Sequence, residues 1–197
     1  VGVNTSKGLI QCNKLGIAVA GNSGALANMA GFRLPIESVA LQALVSEPVK
    51  PCMNVVVMAN TVHGYMSQSD KGELVIGGGA DGFNNYTQRG SFHHIEETVR
   101  ALIETFPLIS RLKMLRCWGG IVDMTGDRSP ILSKTPLENC FINCGWGTGG
   151  FKAIPGSGWA MAELMAKGHS SLTEEFSLNR FKEGKFVDES VAAGVAH

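Results

Sequence analysis

The sequence predicts a mixed α/β fold in two parts, the end of a parallel sheet layer and an antiparallel sheet crossed by helices. Three observations predict it. The run Leu15-Gly-Ile17-Ala-Val19-Ala-Gly21 is continuously apolar and ends in glycine just before a helix-forming stretch, as expected of a parallel-sheet strand buried on both faces. From Arg33 onward, short apolar runs are divided by Pro, Asn and Gly turns, the pattern of antiparallel strands. Ile95, Val99, Leu102, Ile103 and Phe106 share one helical face, with Glu96, Glu97, Arg100 and Glu104 largely on the other.

The elements follow in order. Val1-Gly-Val3-Asn-Thr-Ser-Lys7-Gly8-Leu-Ile10 predicts two short strands about a polar turn closed by Gly8. Asn22-Ser23-Gly24 supplies cap-forming residues ahead of a helix over 25–30, at the carboxyl edge of the sheet where open α/β folds bind ligands. Strands are predicted over 34–36, 41–45, 55–58, 62–66 and 73–76, then the amphipathic helix. His93 and His94 are neighbours that cannot share a helix face, so no metal site is predicted there. A strand over 113–122 leads to the turn Thr125-Gly-Asp127-Arg-Ser129-Pro130, and the alternation in Cys140-Phe-Ile-Asn-Cys144 predicts another strand. A last helix carries Trp159, Met161, Ala162, Leu164 and Met165 and stops at Lys167-Gly168, after which the chain reads as a tail packed over the body. There is no internal repeat and no low-complexity segment.

Composition excludes several classes of function. Lys+Arg and Asp+Glu are equal at 17 each, leaving no basic field to hold a nucleic-acid backbone. No stretch approaches the roughly 20 apolar residues a membrane helix needs, and no secretory leader is recognisable, so a cytoplasmic protein is expected. The five cysteines are odd in number and lie in apolar stretches, which predicts reduced thiols in the core rather than a disulfide framework. The chain opens at Val1 inside a strand-like run, from which a fragment of a longer protein is expected.

The segment that points to chemistry is Gly145-Trp-Gly147-Thr-Gly149-Gly150-Phe-Lys152. Four glycines between a buried strand and a helix suggest backbone that takes positive φ or comes very close to another group. Amides at a helix N-terminus favour anions and electron-rich ligand atoms. The run is neither a P-loop nor a G-x-G-x-x-G fingerprint, so taken alone it fits a nucleotide or flavin contact and a simple turn about equally.

These segments together resemble the D-amino-acid-oxidase-like flavoenzyme family. Val1 to Ser23 resembles the hairpin and final strand of its FAD-binding domain, Gly31-Phe-Arg33-Leu-Pro35-Ile36 the crossover into the substrate domain, and Trp118 to Ile131 the return strand and its turn. Within that family the wording is most similar to the β-subunit branch of heterotetrameric sarcosine oxidases. It is carried by Leu41-Gln-Ala-Leu-Val-Ser-Glu47-Pro48, Lys71-Gly-Glu-Leu-Val75, Gln88-Arg-Gly-Ser-Phe92, Cys144 to Lys152, and Ala192-Ala-Gly-Val-Ala-His197.

The resemblance implies a Rossmann-like FAD-binding domain joined to an antiparallel-sheet substrate domain, with only the C-terminal half in this chain. Residues 1–32 and 123–168 would belong to the first domain, 33–122 to the second, and 169–197 to a tail. Gly147, Thr148, Gly149 and Gly150 would contact FAD, and Lys152 would hold the substrate carboxylate beside it. Tyr65 would contribute to the substrate pocket, and Arg116 would face the phosphate of an FMN carried by the full complex. Val75 stands where monomeric relatives place an oxygen-reactive lysine. The FMN-bearing histidine and the dinucleotide fingerprint belong to the half that is absent, so His63, His93, His94, His169 and His197 inherit no such role. The implied activity is oxidation of sarcosine to glycine and a one-carbon unit, formaldehyde or methylene-tetrahydrofolate, with hydrogen peroxide, in partnership with other subunits and with tetrahydrofolate bound by one of them. Other amine oxidases or dehydrogenases of the family, acting on dimethylglycine or glycine, and a non-catalytic nucleotide-binding remnant remain as alternatives.

Overall fold

The computed structural model describes residues 1–59 and 64–187. The predicted strand over 62–66 falls partly outside them, as do His63, His197 and the closing segment 192–197. The chain divides into two compact units, one made of Val1–Ser38 with the described residues from Val122 onward, the other of Val39–Ile121.

In the first unit, β1 (Gly2–Thr5) and β2 (Gly8–Gln11) form an antiparallel hairpin with Gly8 at φ +114° in the turn. A three-stranded sheet has the order β3-β10-β9, in which β3 (Leu15–Ile17) and β10 (Cys140–Cys144) are parallel and β9 (Ile131–Lys134) is antiparallel to β10. The period-two alternation of β10 sorts its side chains between two faces. Cys140, Ile142 and Cys144 pack with Ile17, Ala27, Phe32 and Ile131, and Phe141 packs with Met161 and Leu164.

The sequence prediction of a short strand buried on both faces over 15–21 needs correction. The strand stops at Ile17 and forms the edge of this sheet, with Gly16 exposed, and the chain turns into a short 3₁₀ segment at Ala20–Asn22. Helix α1 (Ser23–Met29) begins two residues earlier than predicted, and Asn22 at its N-cap position makes no side-chain capping bond because its backbone is not extended (φ −91°, ψ 2°).

The second unit is built on a five-stranded sheet of order β5-β6-β7-β4-β8. The predicted strands at 34–36 and 41–45 merge into the single long β4 (Ile36–Pro48), which Pro35 precedes. The remaining strands are β5 (Val57–Ala59), β6 (Gly64–Gln68), β7 (Glu73–Ala80) and the edge strand β8 (Met114–Thr125). Helix α2 (Phe92–Thr105) packs on this unit's core of Leu44, Met66, Leu74, Ile76, Leu102 and Ile109. His94 pairs with buried Asp81 at 3.2 Å and with Glu97 at 3.3 Å. Among the described residues no group of three or more His, Cys, Asp or Glu comes together as a metal site, and no helix is long and apolar enough to cross a membrane.

All five cysteines are free thiols as predicted, but core placement holds for two of them only. Cys140 and Cys144 are buried on β10, whereas Cys52, in the connection between β4 and β5, and Cys117, on an edge strand, are exposed and Cys12 is half-buried. The last long helix, α3 (Gly150–Lys167), starts within the glycine run and contains Pro155, which removes one backbone donor from the helix. It ends where predicted, with Gly168 in the left-handed conformation at φ +80°. The tail adds a 3₁₀ turn at Ser171–Thr173 and the short helix α4 (Arg180–Glu183).

Candidate functional site

The candidate site lies at the carboxyl end of β10, where the parallel pair β3–β10 delivers the chain to the glycine segment. Gly145 and Gly147 take positive φ, +74° and +52°, and both are crowded. A Cβ on Gly145 would lie 2.7 Å from Cγ2 of Thr125, and one on Gly147 would lie 2.8 Å from the sulfur of Met124. These two glycines are therefore required by backbone geometry and packing together. Asn143 and Trp146 join through a bond in which the indole Nε1–H donates to Asn143 Oδ1 at 2.6 Å.

The turn is tied to the end of β8 through one residue. Asp123 is 3% exposed. The Gly145 N–H donates to Asp123 Oδ2 at 2.6 Å, and the Gly147 N–H donates to the Asp123 main-chain carbonyl at 2.9 Å. Burial pushes the Asp123 carboxyl above the usual range, while amide N–H groups of Gly145, Asp123, Gly147 and Trp146 pull the other way. Neighbouring Cys144 is pushed up to about 12, first by burial and then by the Asp123 charge, so its thiol stays protonated and chemically inert.

The amides that remain available are those further along. Gly149 at the N-cap of α3 donates to the Trp146 carbonyl at 3.0 Å. The helix has no side-chain cap, which leaves the first-turn donors of Gly150, Phe151 and Lys152 without intrahelical partners. With no side chain at 147, 149 or 150, a planar, electron-rich edge could approach this backbone closely, and the helix dipole favours negative charge there. The segment thus fits the carbonyl edge of a flavin. It does so with a division the sequence did not reveal: the amides of Gly147 and Gly149 are spent inside the turn, and those of Gly150, Phe151 and Lys152 are not.

Lys152 is exposed as the third residue of α3 and makes no ion pair with a described residue. Its position sets a cation against the positive end of the helix dipole, which an anionic partner would relieve. Tyr65 is in the second unit, on β6, paired across the sheet with Gly77 of β7. Its ring lies over that glycine, where a Cβ would come within 2.3 Å of the hydroxyl, and burial raises its pKa, so the phenol stays protonated. Arg116 is exposed on the edge strand β8, with no carboxylate partner among the described residues. Asp123 is the residue at this turn to which the sequence assigns no role; its only signal is a single carboxylate near the end of the return strand.

Comparison with known proteins shows the family and the fold. The model of the family described as FAD dependent oxidoreductase matches residues 1–164. The β subunit of sarcosine oxidase from Rhodobacter capsulatus is 80% identical over 197 residues, covering 100% of this chain and 48% of the relative. The corresponding subunit from an Arthrobacter species is 53% identical, over 100% of this chain and 49% of its own length. The chain therefore spans about half the length of these relatives. Among solved structures, L-proline dehydrogenase from P. horikoshii superposes with a TM-score of 0.85 at 27% identity, covering 94% of this chain and 51% of that one. A glycine oxidase from Geobacillus kaustophilus has the same fold, with a TM-score of 0.79 at 21% identity over 91% of this chain and 48% of that one.

Proposed function

Because the chain belongs to the FAD dependent oxidoreductase family, we propose that it is the C-terminal half of a sarcosine oxidase β subunit and supplies the backbone and the lysine that face FAD and substrate. The observation that carries this reading is the uncapped, glycine-led start of α3 with unpaired Lys152 in its first turn. Near-complete coverage of the chain by three sarcosine oxidase β subunits, at 80%, 53% and 50% identity, supports the substrate.

In this reading the Lys152 ammonium pairs with the carboxylate of sarcosine and fixes the N-methyl group in place. FAD, when bound, supplies the acceptor for a hydride from the N-methyl carbon. Loss of that hydride leaves a C=N bond, which water hydrolyses to glycine and formaldehyde, or which tetrahydrofolate on a partner subunit captures as the methylene adduct. The first-turn amides of α3 favour negative charge at the ring edge. In the full complex an FMN would relay the electrons to oxygen, giving hydrogen peroxide, and Arg116 would be the residue that holds its phosphate. Tyr65, in the second unit, is the residue of that unit that would take part in substrate binding. The protein works in the cytoplasm as part of a hetero-oligomer.

The half-protein reading is supported by coverage of only 48% of the R. capsulatus relative and by bare apolar surface on the first unit. Phe151 is 89%, Trp159 72% and Leu9 63% exposed, apolar area that the missing half would cover. The likeness to L-proline dehydrogenase favours a second reading, a dehydrogenase of another secondary amine. The test is to express the complete gene with its partner chains, identify the extracted flavins, and assay glycine and formaldehyde from sarcosine, dimethylglycine and proline. Stoichiometric glycine and formaldehyde from sarcosine is the expected result; turnover of proline alone would select the second reading.

A further inference from the structure

We propose that Asp123 is the positioning residue of the FAD-contacting segment: it fastens the turn Gly145–Gly147 from behind, so that the amides from Gly150 onward and Lys152 are presented to the ligand. This rests on the FAD reading above. Both of the residue's acceptor groups are used. The side-chain oxygen takes the Gly145 N–H at 2.6 Å and the main-chain carbonyl takes the Gly147 N–H at 2.9 Å, which fixes both ends of the turn to one residue of β8. Because Asp123 is 3% exposed, water does not compete for these bonds. The crowding of Gly145 by Thr125 and of Gly147 by Met124 comes from the two residues that follow it, so the return strand shapes the turn by contact as well as by hydrogen bonding.

A second consequence is electrostatic. Asp123 has no cationic partner among the hydrogen bonds and ion pairs of the described residues, so when ionised it is a negative charge held directly behind the segment that faces the flavin. Exchange of this carboxylate for an isosteric amide removes that charge and offers the Gly145 N–H a group that can point a donor at it. The bound flavin should then be easier to reduce, because a reduced ring carries negative charge.

The experiment uses the complete gene product assembled with its partner chains, as wild type, Asp123→Asn and Asp127→Asn. The last variant disturbs the same β8–β9 connection without touching the glycine turn. The expected result is that Asp123→Asn lowers FAD affinity at least tenfold and moves the midpoint potential of the bound FAD positive, whereas Asp127→Asn lowers the melting temperature and leaves that potential in place. If Asp123→Asn matches wild type in affinity and potential, or only lowers the melting temperature as Asp127→Asn does, the positioning role is overturned. If Asp123→Asn does not fold, hydrogen exchange on the wild type decides instead. Slow exchange at Gly145 in FAD-stripped protein supports a turn preset by Asp123, and exchange that becomes slow only when FAD is added overturns it. Absence of FAD from the wild-type complex would refute the underlying FAD reading itself, a different failure from an unchanged Asp123→Asn in a protein that binds FAD.

Discussion

Two buried aspartates four residues apart, Asp123 and Asp127, serve the two ends of the first unit in different ways. Asp127 answers a charge. It accepts from Arg180 Nε at 2.7 Å and Nη2 at 2.9 Å in a bidentate pair, with side chains 3% and 2% exposed, and also accepts from the amides of Ser129 and Val187. Arg180 in turn donates to the Ser129 carbonyl and stacks over Phe181, 4.2 Å from the ring centroid. Asp123 answers amides alone. Burial pushes both carboxyls up, but at Asp127 the hydrogen bonds and charge of Arg180 reverse the outcome and hold it below the usual range, whereas at Asp123 burial prevails. A full counter-charge makes a structural clamp on the tail; amides alone make a seat for a turn, with a charge left over for the site.

The largest expected effect breaks the clamp. Arg180→Ala leaves the Asp127 carboxylate buried and unpaired, and should cost about 3–5 kcal/mol in denaturant unfolding of the first unit. Replacing both partners by apolar residues of similar volume should recover most of it; if the double variant is no better than the single, the loss was not that of an unpaired charge. Next in size is Gly145→Ala. Positive φ with a Cβ 2.7 Å from Thr125 should cost roughly 2–3 kcal/mol and, unlike Arg180→Ala, should also weaken FAD binding, as measured by flavin fluorescence.

Smaller again is Asp123→Asn, which loses an amide bond but leaves no unpaired cation. About 1–2 kcal/mol is expected, well below the cost of Asp127→Asn measured side by side.

The smallest effect is in the pH dependence, where the two residues act with opposite sign. Asp123 has a raised folded pKa, so the native state holds its proton more tightly than the unfolded chain. Its contribution is greatest at low pH and is lost as pH rises from the ordinary carboxylate range through its raised value. Asp127 has a lowered folded pKa. Its contribution is full above the ordinary range and is lost only as pH falls through the lower folded value. Unfolding free energy measured across these windows in Asp123→Asn and Asp127→Asn should lose the first trend and the second respectively.

The parts of this fold that were legible in the sequence are those with local grammar. Alternation placed β10 at Cys140–Cys144 to the residue, Gly8 marked the hairpin, the amphipathic period marked α2, and Gly168 marked the end of α3. What stayed hidden depends on distant partners. The sequence predicts no strand over 131–134, because only pairing with β10 and the burial of Ile131, Leu132 and Ser133 make β9 a strand. Strand β3 was read too long because its apolar run continues into a 3₁₀ turn. The sequence shows the helix clearly only from Trp159 on, because glycine and Pro155 have poor helix propensity, and packing of its later turns carries α3 back to Gly150.

For the site, the glycines and Lys152 were visible as a cluster, but the two clamps were not. Asp123 reaches 22 residues to Gly145, and Asp127 reaches 53 to Arg180. No local pattern links residues so far apart.

The most direct test of the central claim, that Lys152 and the glycine-led start of α3 face FAD and an amino-acid carboxylate, is an anaerobic titration of the complete complex with sarcosine, followed by flavin absorbance. The account predicts that wild type bleaches at low sarcosine, and that Lys152→Met binds flavin normally yet needs at least a hundredfold more substrate to bleach. Equal bleaching in the two proteins, or flavin in the wild type that sarcosine never reduces, would contradict it.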